Sequence, residues 1–483
     1  FRYYIGAMTS DQTSIHWFRQ DLRTADNPAL LSAAGNGRVI PVFILDDLIP
    51  DEFQIGGACK VWLHHSLDSL NKSLNGHLRC FRGDPEAILE NLCKKYHVKH
   101  ITWNRVYDPW RIEQDTKLKA KLHSIGIKVQ SFNGSLLWEP WETLKADGTP
   151  YRVFTPFYKN GCLNANVPRT PLKASEIYYH NEKIEPNNLN DLGLLDNQPW
   201  ETDLISKWRV GESGASAKLK TFLSEGIKNY KDGRNFPAQQ SVSGLSPHLR
   251  WGEISVNTVW HSTKDQIKEH PQLGENANHF LTELGWREFS YSLLYHFPFL
   301  PTENLNPRFG KFPWVKDQVG LKAWKSGRTG VPIVDAGMRQ LWKTGYMHNR
   351  LRMIVGSFLV KNLRIHWHDG QAWFWDTLFD ADLANNSSGW QWIAGCGADA
   401  APYFRIFNPV TQGLKFDPEG SFIRQFVPEL EHVPTKYIFA PWNAPHDILA
   451  TSGVVLGETY PNPIVDLKIS REKALEAFAT LKA

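Results

Sequence analysis

Four clusters of the sequence combine residue types that could do chemistry together. In GYMHNRLRM (residues 345–353), Asn349 and Met353 stand four apart, so on a helix they share a face, with Arg350 and Arg352 flanking it. An amide and a thioether beside two arginines are either ordinary packing or the floor of a pocket for a polar ligand. In LFDADLANNSSGWQWIAGCGADAAPYFRIFNP (378–409), Asp380 and Asp382 could hold a metal, but no convergent histidine or further acid accompanies them. Helix capping and turn formation by DAD and NNSS is the reading those residues favour alone. Against it, Trp390, Trp392 and the Gly and Pro residues around the same loop compose rigid walls around something flat. In FLTELGWREFSYSLLYHFP (280–298), Glu283, Arg287 and Ser290 follow helical spacing beside Trp286. The Glu283–Arg287 spacing is either a solvated surface pair worth about 0.3–0.5 kcal/mol or, inside so apolar a helix, a half-buried recognition pair. In RNFPAQQSVSGLSPHLRWGEIS (234–255), hydroxyl residues and Gly244 precede a helical pattern. Backbone N–H groups there suit phosphate oxygens, and a plain N-cap explains the serines equally well.

The elements that must position these clusters are of two kinds. Strand patterns at 14–18, 39–45, 78–81, 100–103 and 128–132 alternate with helical patterns at 61–74, 85–96 and 113–124. Repeated βα units predict a parallel, doubly wound sheet. From about 136 to 207 the chain reads as loop, with scattered Pro and Asn. Beyond it, apolar residues recur at helical period over 213–226, 274–295, 333–345 and 348–363. The expectation is an α/β domain at 9–140, a linker at 141–207 and an all-α domain at 208–483. FRYYIGA ahead of Met8 is read as foreign to the fold, with Met8 the expected native start.

Bulk properties exclude several classes. Apolar content of 42% with 22% charged residues describes a globular protein. The net charge of +4 does not demand nucleic acid, although a local basic groove fits within it. Five cysteines without a C-x-x-C pair argue against a disulfide framework and a zinc site, and suit a reducing interior. No apolar stretch reaches membrane-spanning length, and no signal-peptide pattern opens the chain. A soluble, intracellular monomer that is not secreted is expected, in cytoplasm or nucleoid if the host is bacterial. GxGxxG, Walker, HExxH and GxSxG motifs are all missing, which disfavours dinucleotide binding by the α/β half and the usual hydrolases.

WREF, TGVPIVDAGMRQL, GYMHNRLRM, NNSSGWQW and DAAPYFRIFNP together resemble the photolyase/cryptochrome flavoproteins, from HWFRQDLR to FIRQFVPEL. The resemblance implies FAD in the helical domain, held at Tyr230, Val242, Ser243, Gly244, Leu245, Ser246, Phe280, Arg287, Asn349, Arg352, Asp380, Ala381, Asp382 and Asn386. Arg352 and Asp380 match an ion pair beside the isoalloxazine. Asn386 matches the position facing flavin N5, where Asn is similar to the repair enzymes. Trp390, Trp367 and Trp314 match a chain carrying an electron to the flavin from the surface. Glu283, Trp286, Asn349, Met353 and Trp392 match the lesion pocket of enzymes repairing cyclobutane pyrimidine dimers, whereas the (6-4) photolyases carry His at the positions of Asn349 and Met353. His348 lies one residue off that pattern and is read as structural. Arg350 and Arg405 are implied phosphate contacts to UV-damaged DNA. The resemblance also implies a second, light-harvesting chromophore in the α/β half. WNRVYDPWRIEQD departs from the methenyltetrahydrofolate pattern, leaving a folate, a deazaflavin, a second flavin or an empty site open. A cryptochrome photoreceptor and a (6-4) photolyase are the alternatives.

Overall fold

The structure is a computed structural model that describes residues 12–174, 176–182, 184, 185, 188–400 and 404–481. The expected start at Met8 and residues 401–403 of the DAAPYFRIFNP motif lie outside them.

Strands β1 (Thr13–Phe18), β2 (Arg38–Asp46), β3 (Arg79–Gly83), β4 (His100–Asn104) and β5 (Lys128–Phe132) form one sheet in the order β3-β2-β1-β4-β5. Every pairing is parallel, with Ile15 opposite Ile40 on one side and Ile101 on the other. Every residue of β1 and of β4 is buried, because helices cover both faces of a parallel sheet and leave no wet side. The crossovers run through α1 (Pro28–Gly35), α2 (Gly57–Ser73), α3 (Pro85–Lys95) and α4 (Pro109–Ser124). Strand order reverses between β1 and β4, and such a switch opens a crevice at the strands' carboxyl ends.

The second half is helical. Its main elements are α5 (Glu212–Ser224), α6 (Ser246–Arg250), α7 (Val256–Glu269), α8 (Gly274–His296), α9 (Pro332–Thr344), α10 (Asn349–Ser357), α11 (Trp367–Thr377) and α12 (Leu383–Ala394). The helical period over 348–363 divides in two. The α-helix stops at Ser357, and a wider π-helical turn spans Phe358–Asn362. Within that turn Lys361 is buried and donates to the Ala394 carbonyl at 2.6 Å, at the end of α12.

The stretch read as a linker is irregular but not loose. Trp138, Phe154 and Phe157 are buried in the core of the helical half, and Leu192 and Leu194 enter the larger core. The two halves meet tightly: Leu22 N donates to Trp251 O at 3.0 Å, and Trp62 Nε1 to Glu253 Oε1 at 2.9 Å. At Gly252, φ is +66°, and a Cβ would lie 2.2 Å from the Gln20 carbonyl oxygen, so only glycine permits this approach.

Candidate functional site

α8, α10 and α12 enclose a cavity of about 590 Å³. α8 contributes Phe280, Glu283, Trp286 and Arg287, spaced at three and four residues as one inward stripe. α10 begins at Asn349, and Met353 follows one turn later on the same wall. His348 supplies that helix's N-cap, its Nδ1 accepting from the Arg350 amide at 3.2 Å. Burial, then Arg350, Arg234 and Arg352, lower its pKa to about 4, which keeps the imidazole a neutral acceptor. The structural reading of this histidine is therefore what the geometry displays.

α12 is capped by Asp382, whose Oδ1 accepts from Asn385 N at 2.8 Å, and it presents Asn386, Trp390 and Trp392 to the cavity. Capping and wall-building thus coincide in one residue. Asn386 Nδ2 donates to the Gln371 carbonyl at 3.0 Å, which orients the amide on the wall. Arg352 donates to Asp380 at 2.7 Å; burial opposes the guanidinium's charge, and the carboxylate overrides it and raises the pKa. Burial pushes the Asp382 carboxyl up, against hydrogen bonds from Asn385 and the charge of Arg250.

Of the sequence-predicted residues, Tyr230, Ser243, Ser246, Phe280, Glu283, Trp286, Arg287, Asn349, Arg352, Met353, Asp380, Ala381, Asp382, Asn386, Trp390, Trp392 and Arg405 converge here. Leu245 turns into the core instead, and Gly244 adopts φ +62° to let the chain reverse between the two serines. Val242, too, is outside the lining. Arg350 is not in the lining either: it donates to Asn235 and lies over the Phe416 ring at 4.2 Å. Arg405 is exposed, with its guanidinium 5.6 Å from the Trp392 ring centre.

The Glu283–Arg287 pair does not form. Glu283 pairs with Arg234, and Arg287 pairs with Glu288 at 2.9 Å. Glu288 is buried and draws the nearer guanidinium, while also accepting from Leu137 N at 2.8 Å. Sequence reading missed Arg234, which stands 49 residues from Glu283. It also missed Phe154, whose ring stacks on Trp286 at 3.8 Å and 10°.

Trp390 and Trp367 are fully buried, and Trp314 is half-buried. Trp390, on α12, packs its ring against α11, where a Cβ at Gly370 would come within 2.1 Å of it. Trp367 Nε1 donates to Asn304 Oδ1 at 2.9 Å.

A second, smaller cavity of about 80 Å³ opens at the carboxyl ends of the strands. Trp17, Arg19, Asp108, Trp110 and Arg111 line it from the α/β half, and Arg250 and Trp375 from the helical half. Several belong to WNRVYDPWRIEQD, the segment without an assignable pattern in the sequence.

The larger cavity suits a flat, anionic dinucleotide. Aromatic walls face it, Ser243 and Ser246 stand at one end, and two polar atoms of its lining, Arg250 Nη1 and Ser388 Oγ, are buried without a hydrogen-bond partner. An α/β sheet domain packed on a helical domain with such a cavity is the arrangement that the resemblance to the photolyase/cryptochrome flavoproteins implies. The family model for DNA photolyase matches residues 14–176, and that for the FAD binding domain of DNA photolyase matches residues 280–480. A deoxyribodipyrimidine photo-lyase of Agrobacterium fabrum is 48% identical, over 97% of this chain and 98% of its own. Cryptochrome-2 of Arabidopsis thaliana is 40% identical over 98% of this chain and 79% of its own. The crystal structure of a bacterial class III photolyase from Agrobacterium tumefaciens superimposes with a TM-score of 0.94 at 46% identity, covering 99% of this chain and 100% of that one. The chain belongs to the DNA photolyase family and carries its FAD-binding domain.

Proposed function

We propose that this protein is a carbon–carbon lyase that repairs cyclobutane pyrimidine dimers in UV-damaged DNA under blue light. The observation that carries the reading is the convergence of Glu283, Trp286, Asn349, Met353 and Trp392 on one cavity with Asn386 and the Arg352–Asp380 pair. When bound, reduced FAD supplies the light absorption and the single electron that opens the cyclobutane ring.

The chain's own residues bind, orient and exclude water. Ser243, Ser246 and Arg250 receive the phosphates, and Arg287, Arg352, Asp380 and Asp382 surround the polar edge of the ring system. Asn386 offers a neutral amide, which hydrogen-bonds a protonated or an unprotonated ring nitrogen. Trp286 and Trp392 pack against the extruded dimer with the Met353 thioether, and Glu283 with Asn349 stabilises the charge that develops on its carbonyls. Extrusion of the damaged base is established for photolyases as a class. Arg350 and Arg405 contribute sequence-independent attraction to phosphates. Trp390, Trp367 and Trp314 relay an electron inward to restore the reduced cofactor.

A light-harvesting chromophore is proposed for the α/β unit of residues 9–140, which joins through 141–207 to a catalytic unit of 208–483. We take the protein to act as an intracellular monomer. Among the described residues no helix is long and apolar enough to cross a membrane. A (6-4) photolyase is disfavoured because Asn349 and Met353 supply no proton donor of the histidine type. Purified protein with reduced FAD is expected to remove cyclobutane dimers from irradiated DNA under blue light. Unchanged dimers would sink the repair reading in favour of a photoreceptor.

A further inference from the structure

Trp314 and Trp367 do not touch each other among the described ring contacts. The imidazole of His366 touches both. Its centre lies 5.6 Å from that of Trp367, with planes 27° apart, and 4.9 Å from that of Trp314, with planes at 62°. These separations lie inside the range of packed aromatic pairs. The same residue is the N-cap of α11: His366 Nδ1 accepts from the His368 amide at 3.2 Å. That hydrogen bond favours the ring orientation that sits between the two indoles. His368 packs on Trp367 at 3.9 Å but makes no ring contact with Trp314.

We propose that His366 is the aromatic bridge through which an electron passes from Trp314 to Trp367, the helix cap serving to hold the bridge in place. This inference deepens the relay reading above and rests on it. An electron tunnels more readily through contacting π-systems than across a gap, because each contact lowers the barrier it must penetrate. The step balances without histidine chemistry. Trp367, oxidised when it refills Trp390 after the photoexcited oxidised flavin has taken an electron, regains one electron. Trp314 is left one electron short as an indole radical cation, its Nε1 proton retained because that N–H is buried without a hydrogen-bond partner. Neutral imidazole is harder to oxidise than indole, so His366 is neither oxidised nor reduced. Burial lowers the pKa of His366, which keeps it neutral near pH 7.

The cap and the bridge make opposite demands, and that separates them. His366→Asn keeps a strong helix cap and removes the ring. His366→Phe keeps a ring and removes the cap. His368→Asn removes a ring that packs on Trp367 and, at 4.5 Å, on His366 but does not reach Trp314. Flash photolysis of the flavin-loaded proteins, following the tryptophan radical optically, measures the Trp314-to-Trp367 step; melting temperature reports the cap separately. The expected result is a step about tenfold slower in His366→Asn with melting nearly unchanged. His366→Phe is expected to melt lower yet transfer within a factor of about two of the parent, as is His368→Asn. An unslowed His366→Asn, or equal slowing in all three, would overturn the bridge. Trp314→Phe and Trp367→Phe guard the underlying reading: if neither shortens the radical's life, the relay itself is wrong and the bridge falls with it. If they do and His366→Asn does not, only the bridge is lost.

Discussion

One guanidinium nitrogen of Arg352 lies 2.7 and 3.0 Å from the two carboxylate oxygens of Asp380, and Arg352 Nε donates to the Met347 carbonyl at 2.9 Å. The pair therefore ties the start of α10 to the loop ahead of α12, on two walls of the cavity. Replacing Arg352 by Ala leaves Asp380, which is only 8% exposed, without its cation. A loss of about 3 kcal/mol is expected, the low end for a broken buried pair because the arginine is partly open to water. Chemical denaturation and flavin content of the purified variant check it; undiminished stability would refute the role.

Met353 offers the cavity an apolar wall with its sulfur 3.7 Å from Arg350 Nη1. Met353→His puts a hydrated ring where the dimer is to pack. Repair of cyclobutane dimers should fall by about 10- to 100-fold with flavin content unchanged. Unaltered repair would show that the substrate lies elsewhere.

Glu283 sits at the same wall in a pair with Arg234. Glu283→Gln keeps its shape and removes its charge. Dimers split per absorbed photon should fall by about tenfold or more, while binding to damaged DNA changes little, because the side chain acts on charge that develops after excitation. A loss confined to binding would assign Glu283 to docking alone.

His348 makes stability depend on acid. Its pKa falls from 6.5 unfolded to about 4 folded, so between those values the unfolded chain binds more protons. Stability is thus full above about pH 6.5 and declines as pH drops toward 4, by at most about 3 kcal/mol. His348→Asn retains a cap and should flatten this part of the melting-temperature profile. An equally steep profile in that variant would transfer the effect to another group.

Arg405 is exposed beside Trp392, where it can meet a phosphate. Affinity for damaged DNA should fall linearly on a log–log salt plot, and Arg405→Ala should lower the slope by about 0.9. An unchanged slope would place its charge away from the backbone.

The fold was largely legible because its signals are local. β2 reads as an unbroken apolar run over residues 39–45 since both its faces are covered, and α8 announces its inward stripe by spacing alone. The site was legible where one helix carries several of its residues, as with Asn349 and Met353. It was not legible where partners meet from afar. Nothing near Glu283 in the chain points to Arg234, and the obvious neighbour Arg287 is taken by Glu288. Phe154 lies in a stretch with no regular period, so its stacking on Trp286 leaves no trace in the pattern. The π-helical turn at Phe358–Asn362 hides inside a continuous helical period, because one extra residue barely disturbs it.

Arg250 lines both the large cavity and the smaller one at the domain junction, and its Nε holds the Ala381 carbonyl at 2.6 Å. The two chambers are thus neighbouring rooms with one side chain as their partition. A substitution at Arg250 is therefore expected to open the two rooms to each other rather than to enlarge one of them alone.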